Sequence, residues 1–159
     1  MIVWLEKALV LAMHDRQLAE HGGSAGVRDA TLLESALVRP QQRYAYGEPA
    51  PDLASLAASL AFGLTRNHPF VDGNERTAFV SYRTFLALNG ADLDATDEDK
   101  YLTMLALAEG KLSEKNFAVW LCRRLRADTQ GKVHEARAVY QPKPRVRQPS
   151  GKRSRRARS

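Results

Sequence analysis

His68-Pro69-Phe70-Val71-Asp72-Gly73-Asn74-Glu75-Arg76-Thr77-Ala78-Phe79 is the stretch that decides the fold. Pro69 disfavours helix at His68, and Gly73-Asn74 lets the chain turn tightly before an apolar-periodic run resumes over residues 77–88. The stretch therefore reads as a loop that delivers a helix N-terminus. Such a terminus carries unpaired backbone N–H groups and the positive end of the helix dipole, so it stabilises a docked anion without any side chain. Gly73 lets the backbone come close to that anion, and Arg76 on the first turn adds a forked, permanently charged donor. Asp72 supplies a hard oxygen of the kind Mg2+ prefers when it bridges protein to phosphates. His68 brings an imidazole, the side chain type that titrates closest to neutrality and the natural general base for a hydroxyl. A His before Pro, or an Asp before Gly, is on its own usually just a loop or a turn. Their joint spacing points to phosphate chemistry.

Outward from this stretch the periodicity is helical nearly throughout, and no segment alternates in the manner of a strand. A first helix is expected over residues 4–20, with Leu5, Leu9, Ala12 and Met13 on one face, stopping at Gly22-Gly23. A second is expected over residues 29–38, closed by Pro40, and a third, rich in Ala and Leu and central to the fold, over 53–66. The motif helix spans 74–88 and stops at Asn89-Gly90. Thr96 and Ser113 cap two more, running toward residues 109 and 125. The fold class is thus all-α, a compact bundle of about six helices. The segment 43–52, RYAYGEPAPD, is too rich in Pro and Gly to be helical and reads as a short connector.

The 159 residues fit one domain over 1–126 and a basic tail over 127–159. The net charge of +6 belongs to that tail. Residues 1–125 hold 13 Lys and Arg against 16 Asp and Glu, while 126–159 hold 11 against 2. From Gln141 the tail combines Pro, Ser and Gly with basic residues and no acid, which predicts disorder, since it has too little apolar area to fold alone. It could bind RNA, ribosomes or an acidic partner with strong salt dependence, or serve only as a solubilising appendage. No apolar run approaches the roughly 20 residues of a membrane span, and no secretory signal pattern opens the chain, so a cytoplasmic protein is expected. Cys122 is the single cysteine, which excludes an intrachain disulfide and a cysteine metal cluster; its place in the stripe of a late helix predicts a buried, inert thiol. His14 and His21 lie seven apart, too far for the i, i+4 pairing of helical metal sites, and His134 lies in the tail; none is given a role.

The string HPFVDGNERTA resembles the signature of the Fic/Doc family, His-Pro-Phe, two residues, Gly-Asn, one residue, Arg. Upstream, GGSAGVRDATLLESALVRPQ (Gly22 to Gln41) is similar to the opening of its death-on-curing branch, and FLALNG (Phe85 to Gly90) to the exit from the motif helix. The resemblance covers roughly residues 2–125. It implies an all-helical domain that transfers a phosphate-containing group from a nucleotide, with ATP as co-substrate and Mg2+ as cofactor, to a protein hydroxyl. Carried over, His68 would be the base, Asp72 the Mg2+ ligand, Gly73 and Asn74 the anion hole and Arg76 a phosphate contact. The segment 43–52 would be a flap that receives an extended target by strand addition, with Tyr44, Tyr46 and Gly47 as contacts.

Two departures bear on the reaction. Adenylyl-transferring Fic enzymes have Gly after the Asn and a second Arg three residues beyond the first; these positions hold Glu75 and Phe79. Doc-type toxins place Lys at the Glu75 position and act as kinases. A carboxylate on the first turn repels a bound phosphate unless Mg2+ or an arginine intervenes, and Arg66, two residues before the base, is a candidate for that compensating charge. The leading expectation is a Doc-like toxin of a toxin-antitoxin system, a kinase acting on a translation factor such as elongation factor Tu and neutralised by an antitoxin. AMP transfer by the same base is one alternative. A catalytically impaired Fic fold serving as a binding module, with a nucleic-acid-binding tail, is the other.

Overall fold

The computed structural model describes residues 1–127; the expectations of a disordered tail and of its nucleic-acid binding lie outside the described residues. Six helices form the body: α1 (Lys7–His21), α2 (Ala30–Tyr46), α3 (Leu53–Asn67), α4 (Asn74–Leu88), α5 (Asp97–Ala108) and α6 (Glu114–Arg124). Two three-residue strands, β1 (Ala91–Leu93) and β2 (Leu125–Ala127), pair antiparallel with Ala91 opposite Ala127 and Leu93 opposite Leu125. Three residues are too few to show an alternating pattern in sequence, and the pair only ties the end of α6 to the exit of α4. The all-α expectation holds.

Four helices begin on a side chain that accepts an orphan N–H of the first turn. Asp29 receives Leu32 N at 3.0 Å, Asp52 receives Ser55 N at 2.8 Å, Thr96 receives Asp99 N at 3.0 Å and Ser113 receives Asn116 N at 3.1 Å. α3 is the hub: Ala54, Leu56, Ala57, Ala58, Ser59, Leu60, Ala61, Gly63 and Leu64 are all buried. Its small residues let α2 pack tightly, for a Cβ on Gly63 would stand 3.3 Å from both Cα and Cβ of Ala36. The core is closed by Met13, Leu33, Phe70, Tyr82, Phe85, Met104, Phe117 and Leu121, each 1% exposed or less. No described helix is long and apolar enough to cross a membrane.

Three expectations are corrected. α1 begins at Lys7, not at Trp4, because residues before it are pinned in extended form: Val3 N donates to Asn89 Oδ1 at 2.7 Å, Asn89 Nδ2 donates to Val3 O at 2.9 Å, and Trp4 stacks on Phe85. α2 does not stop before Pro40; it runs through it to Tyr46, so residues 43–46 of the expected flap are helical and only 47–52 are not. A mid-helix proline costs about 3 kcal/mol in an isolated helix. Here neighbouring contacts offset it: Arg39 donates to both carboxylate oxygens of Glu114 at 2.8 and 2.7 Å and to Ser59 O and Oγ at 3.1 and 3.0 Å, while Pro40 is buried. Cys122, expected buried, is exposed. α6 turns Phe117 and Leu121 inward, one turn apart, and the next residue along the helix is rotated about 100° out of that face.

Candidate functional site

The motif loop joins the C-terminus of α3 to the N-terminus of α4, and its backbone is held from three directions. From the glycine loop before α2, Arg28 N and Asp29 N donate to Pro69 O at 2.7 and 3.1 Å, and Val71 N donates to Gly26 O at 3.0 Å. The Arg28 side chain adds Nε to His68 O and Nη2 to Asn67 O, both at 2.8 Å. From α4, Asn74 closes a two-way clamp: Phe70 N donates to Asn74 Oδ1, and Asn74 Nδ2 donates to Phe70 O, each at 2.9 Å. From α1, His14 Nε2 donates to Asp72 O at 2.8 Å while the imidazole stacks on the Phe70 ring at 3.8 Å, 10° from parallel.

On this platform the sequence-derived residues fall as follows. His68 is exposed and caps α3 in the left-handed region (φ 52°, ψ 53°), the one described non-glycine residue with positive φ. Its Nδ1 lies 3.4 Å from Asn74 Nδ2, too long a contact to fix the ring. The Asp72 carboxylate is oriented by two backbone donors, Gly73 N to Oδ1 at 2.8 Å and Ser24 N to Oδ2 at 3.2 Å. Gly23 makes this approach feasible, since a Cβ there would stand 2.8 Å from Asp72 Oδ2. Gly73 is the N-cap of α4 at φ 77°, which suits glycine. Thr77 N is already paired with Gly73 O at 3.0 Å, so the amides of residues 74–76 are the ones helix geometry leaves without an intrahelical acceptor. The side chain of Asn74 faces back into the loop and is 4% exposed; it contributes backbone, not its amide group, to any anion hole.

The charged residues are dispersed around this point. Glu75 is exposed on the first turn of α4, with no hydrogen bond or ion pair to the described residues. Arg76 places its guanidinium 5.7 Å from the centre of the Tyr101 ring on α5. Arg66 lies over Phe62 on its own helix, 5.7 Å from the ring centre, rather than beside Glu75. Phe79 packs edge-on against Tyr82 and Tyr101 at 5.9 and 5.4 Å, part of an aromatic row that continues to Phe117. Behind the loop, Thr77 Oγ1, Ser81 Oγ and Tyr82 OH are buried without hydrogen-bond partners. Burial holds the Tyr82 phenol well above its ordinary range, against a smaller lowering by Arg83.

This donor set fits a hard divalent cation. Among the described residues no group of three His, Cys, Asp or Glu forms a cage, and Asp72 offers one oriented carboxylate whose oxygens each keep a lone pair. Mg2+ uses such a partial site, filling the rest of its shell with water and substrate phosphates. Among the described residues, one cleft of about 620 Å³ lies beside Arg39, Arg43, Tyr46, Gly47, Pro49 and Pro51, and another of about 340 Å³ beside Arg43, Ser55, Glu114 and Lys115. Neither includes a motif residue. Docking a phosphate on a helix end needs free amides rather than a deep cavity, so the loop remains the candidate for chemistry, while the larger of these clefts lies at the end of α2 and the connector after it.

Sequence reasoning missed His14 and Arg28. His14 lies on the buried stripe of α1 with Val10 and Met13, a position where a lone imidazole must find a partner, and this was the available signal. Arg28 sits in a glycine-rich connector that sequence reads only as a link.

Residues 4–86 match the family described as "Fic/DOC family". A protein named "Toxin Doc" from Mycolicibacterium smegmatis is 49% identical over 75 residues, which span 46% of this chain and 57% of that protein. "Protein kinase doc" from Escherichia phage P1 is 35% identical over 114 residues, 72% of this chain and 89% of that one.

Proposed function

The chain belongs to the Fic/DOC family, on its Doc branch, and from that premise we propose that it is a Doc-like toxin that phosphorylates a hydroxyl of a target protein from ATP. One observation carries the reading: His68, the oriented Asp72 carboxylate and the unclaimed amides of α4 all issue from a single anchored loop.

In this reading the hydroxyl oxygen attacks the γ-phosphorus, the bond from that phosphorus to the bridging oxygen breaks, ADP leaves, and the hydroxyl proton passes to an imidazole nitrogen of His68. The amides of residues 74–76 and the Arg76 guanidinium hold phosphate oxygens in place. Asp72 would hold Mg2+, which when bound neutralises phosphate charge. Most of the rate then comes from positioning and charge stabilisation. Glu75 adds a negative charge beside this anion site, so it weakens or redirects nucleotide binding relative to a lysine-bearing relative. Arg66, whose guanidinium rests over Phe62, would be the arginine to offset it.

Phosphoryl rather than AMP transfer is supported by Phe79. It occupies the place where a second arginine would reach the nucleotide, and it is packed among aromatic rings instead. The name of the phage relative, a protein kinase, agrees. The name of the Mycolicibacterium relative, a toxin, supports a toxin reading with a cognate antitoxin as its partner, and a translation factor such as elongation factor Tu in the cytoplasm is the target to test first. The flap residues Tyr44, Tyr46 and Gly47 would meet that target; Tyr46 is 84% exposed beside the larger cleft.

The deciding experiment is a mass measurement. Incubated with ATP, Mg2+ and cell lysate, the protein should add about 80 Da to a target Ser, Thr or Tyr; an addition of about 329 Da would mean AMP transfer instead. No addition at all, with toxicity unaltered by His68→Ala, would remove the enzymatic reading.

A further inference from the structure

The left-handed conformation of His68 needs an explanation that the motif itself does not supply. A residue followed by proline is pushed toward extended conformations, and a side chain at positive φ costs on the order of 1–2 kcal/mol. Glycine normally occupies such a helix-ending position, and the other positive-φ residue of the same loop, Gly73, is one. His68 is held there although it is no glycine and Pro69 follows it. Three consecutive carbonyls, those of residues 67, 68 and 69, accept from one residue: Arg28 donates to the first two from its guanidinium at 2.8 Å each and to the third from its backbone N–H at 2.7 Å. The peptide groups on both sides of His68 are thereby fixed in orientation, which fixes its φ and ψ. A cation at this point also faces the negative end of the α3 dipole, which strengthens the hold.

We propose that Arg28 is a positioning residue for the base: it sets the backbone of His68 and so places the imidazole over the N-terminus of α4. This rests on the reading of His68 as the base. Among the described contacts the ring itself has one weak partner, Asn74 Nδ2 at 3.4 Å from its Nδ1. The backbone therefore sets where the imidazole can reach, and the weak Asn74 contact selects within that range. Without the fork, residue 68 relaxes toward the extended region that a following proline favours, and the imidazole leaves the line of attack while the phosphate-binding amides of α4, clamped separately by Asn74, stay where they are.

The test compares Arg28→Met, which keeps the stem and removes the donors, with Arg28→Lys, which keeps a cation but not the fork. Two quantities are read: the backbone chemical shifts and three-bond amide coupling of residue 68 by NMR, and the initial rate of transfer from ATP to the labelled lysate protein. Arg28→Met should move residue 68 out of the left-handed region and lower the rate at saturating ATP about 10- to 100-fold, with the half-saturating ATP concentration changed less than about twofold. Arg28→Lys should fall between it and the wild type in both readouts. Unchanged signals at residue 68 in both variants would overturn the proposal, as would a loss confined to ATP affinity. His68→Ala in parallel separates the two readings: undiminished transfer there removes the base assignment, whereas the NMR result still decides whether Arg28 sets the backbone.

Discussion

The two loops that flank α3 are built on opposite terms. At its C-terminus, residues 67–73 have carbonyls 67, 68, 69, 70 and 72 and amides 68, 70, 71 and 73 all engaged, by Arg28, Asp29, Asn74, His14, Gly26, Leu64 and the Asp72 carboxylate. At its N-terminus, residues 47–52 are held, among the described hydrogen bonds, only at their ends, by Gly47 N to Arg43 O at 2.8 Å and by the Asp52 cap. The first loop is fixed before any substrate arrives, which is what chemistry at a defined point requires. The second keeps backbone groups available for an extended partner, which is what strand addition requires.

Four predictions sharpen this contrast or break it, and a fifth concerns the helix behind the first loop. The largest effect should come from His68→Ala, a loss of transfer of about 10²- to 10⁴-fold measured by labelling from ATP, with little change in melting temperature because the side chain is exposed. Asn74→Ala should cost about 2–3 kcal/mol in chemical denaturation, since it orphans both backbone groups of a residue that is 1% exposed, Phe70. A cost below about 0.5 kcal/mol would mean the clamp is not what holds the loop. Glu75→Lys should tighten ATP binding on the order of tenfold by titration calorimetry, and equal affinity would show that the charge on the first turn does not face the nucleotide.

Tyr82→Phe, two turns down α4, removes a buried hydroxyl without a partner and should leave stability unchanged or raise it by about 1 kcal/mol. The same variant checks a pH dependence. With its folded pKa raised, Tyr82 contributes stability that is complete below the unfolded value of about 10 and is lost as pH climbs from there toward the folded value. Denaturation above pH 10 should therefore show a decline in wild type that Tyr82→Phe reduces. The smallest structural effect belongs to the flap: Tyr46→Ala should change stability by less than about 0.5 kcal/mol yet reduce labelling of the target at unchanged ATP dependence. Loss of stability instead would mean that the second loop is as anchored as the first.

The motif helix and its stop, the caps at Thr96 and Ser113 and the central place of α3 were legible because each rests on local spacing and side-chain type. The course of α2 was not. Pro40 is a valid local stop signal, and it is overruled by Glu114, 74 residues later in the chain, gripping Arg39. The exposure of Cys122 was missed by one residue along the chain, a step of about 100° that carries it away from the face of Phe117 and Leu121.

By itself, then, the sequence determined that this is a helical protein with a turn that carries an imidazole, a carboxylate and an arginine around a helix N-terminus, because those properties reside in residue types and in local spacing. The tertiary structure alone decided how that turn is held and what its neighbours do. His14, Gly23, Ser24 and Arg28 converge on residues 67–72 from more than 35 positions away. Phe79 turns into ring packing, and Arg66 and Arg76 each lie over an aromatic ring. Contacts between distant segments form only when the hydrophobic core folds, and nothing in the local pattern of either partner encodes the meeting.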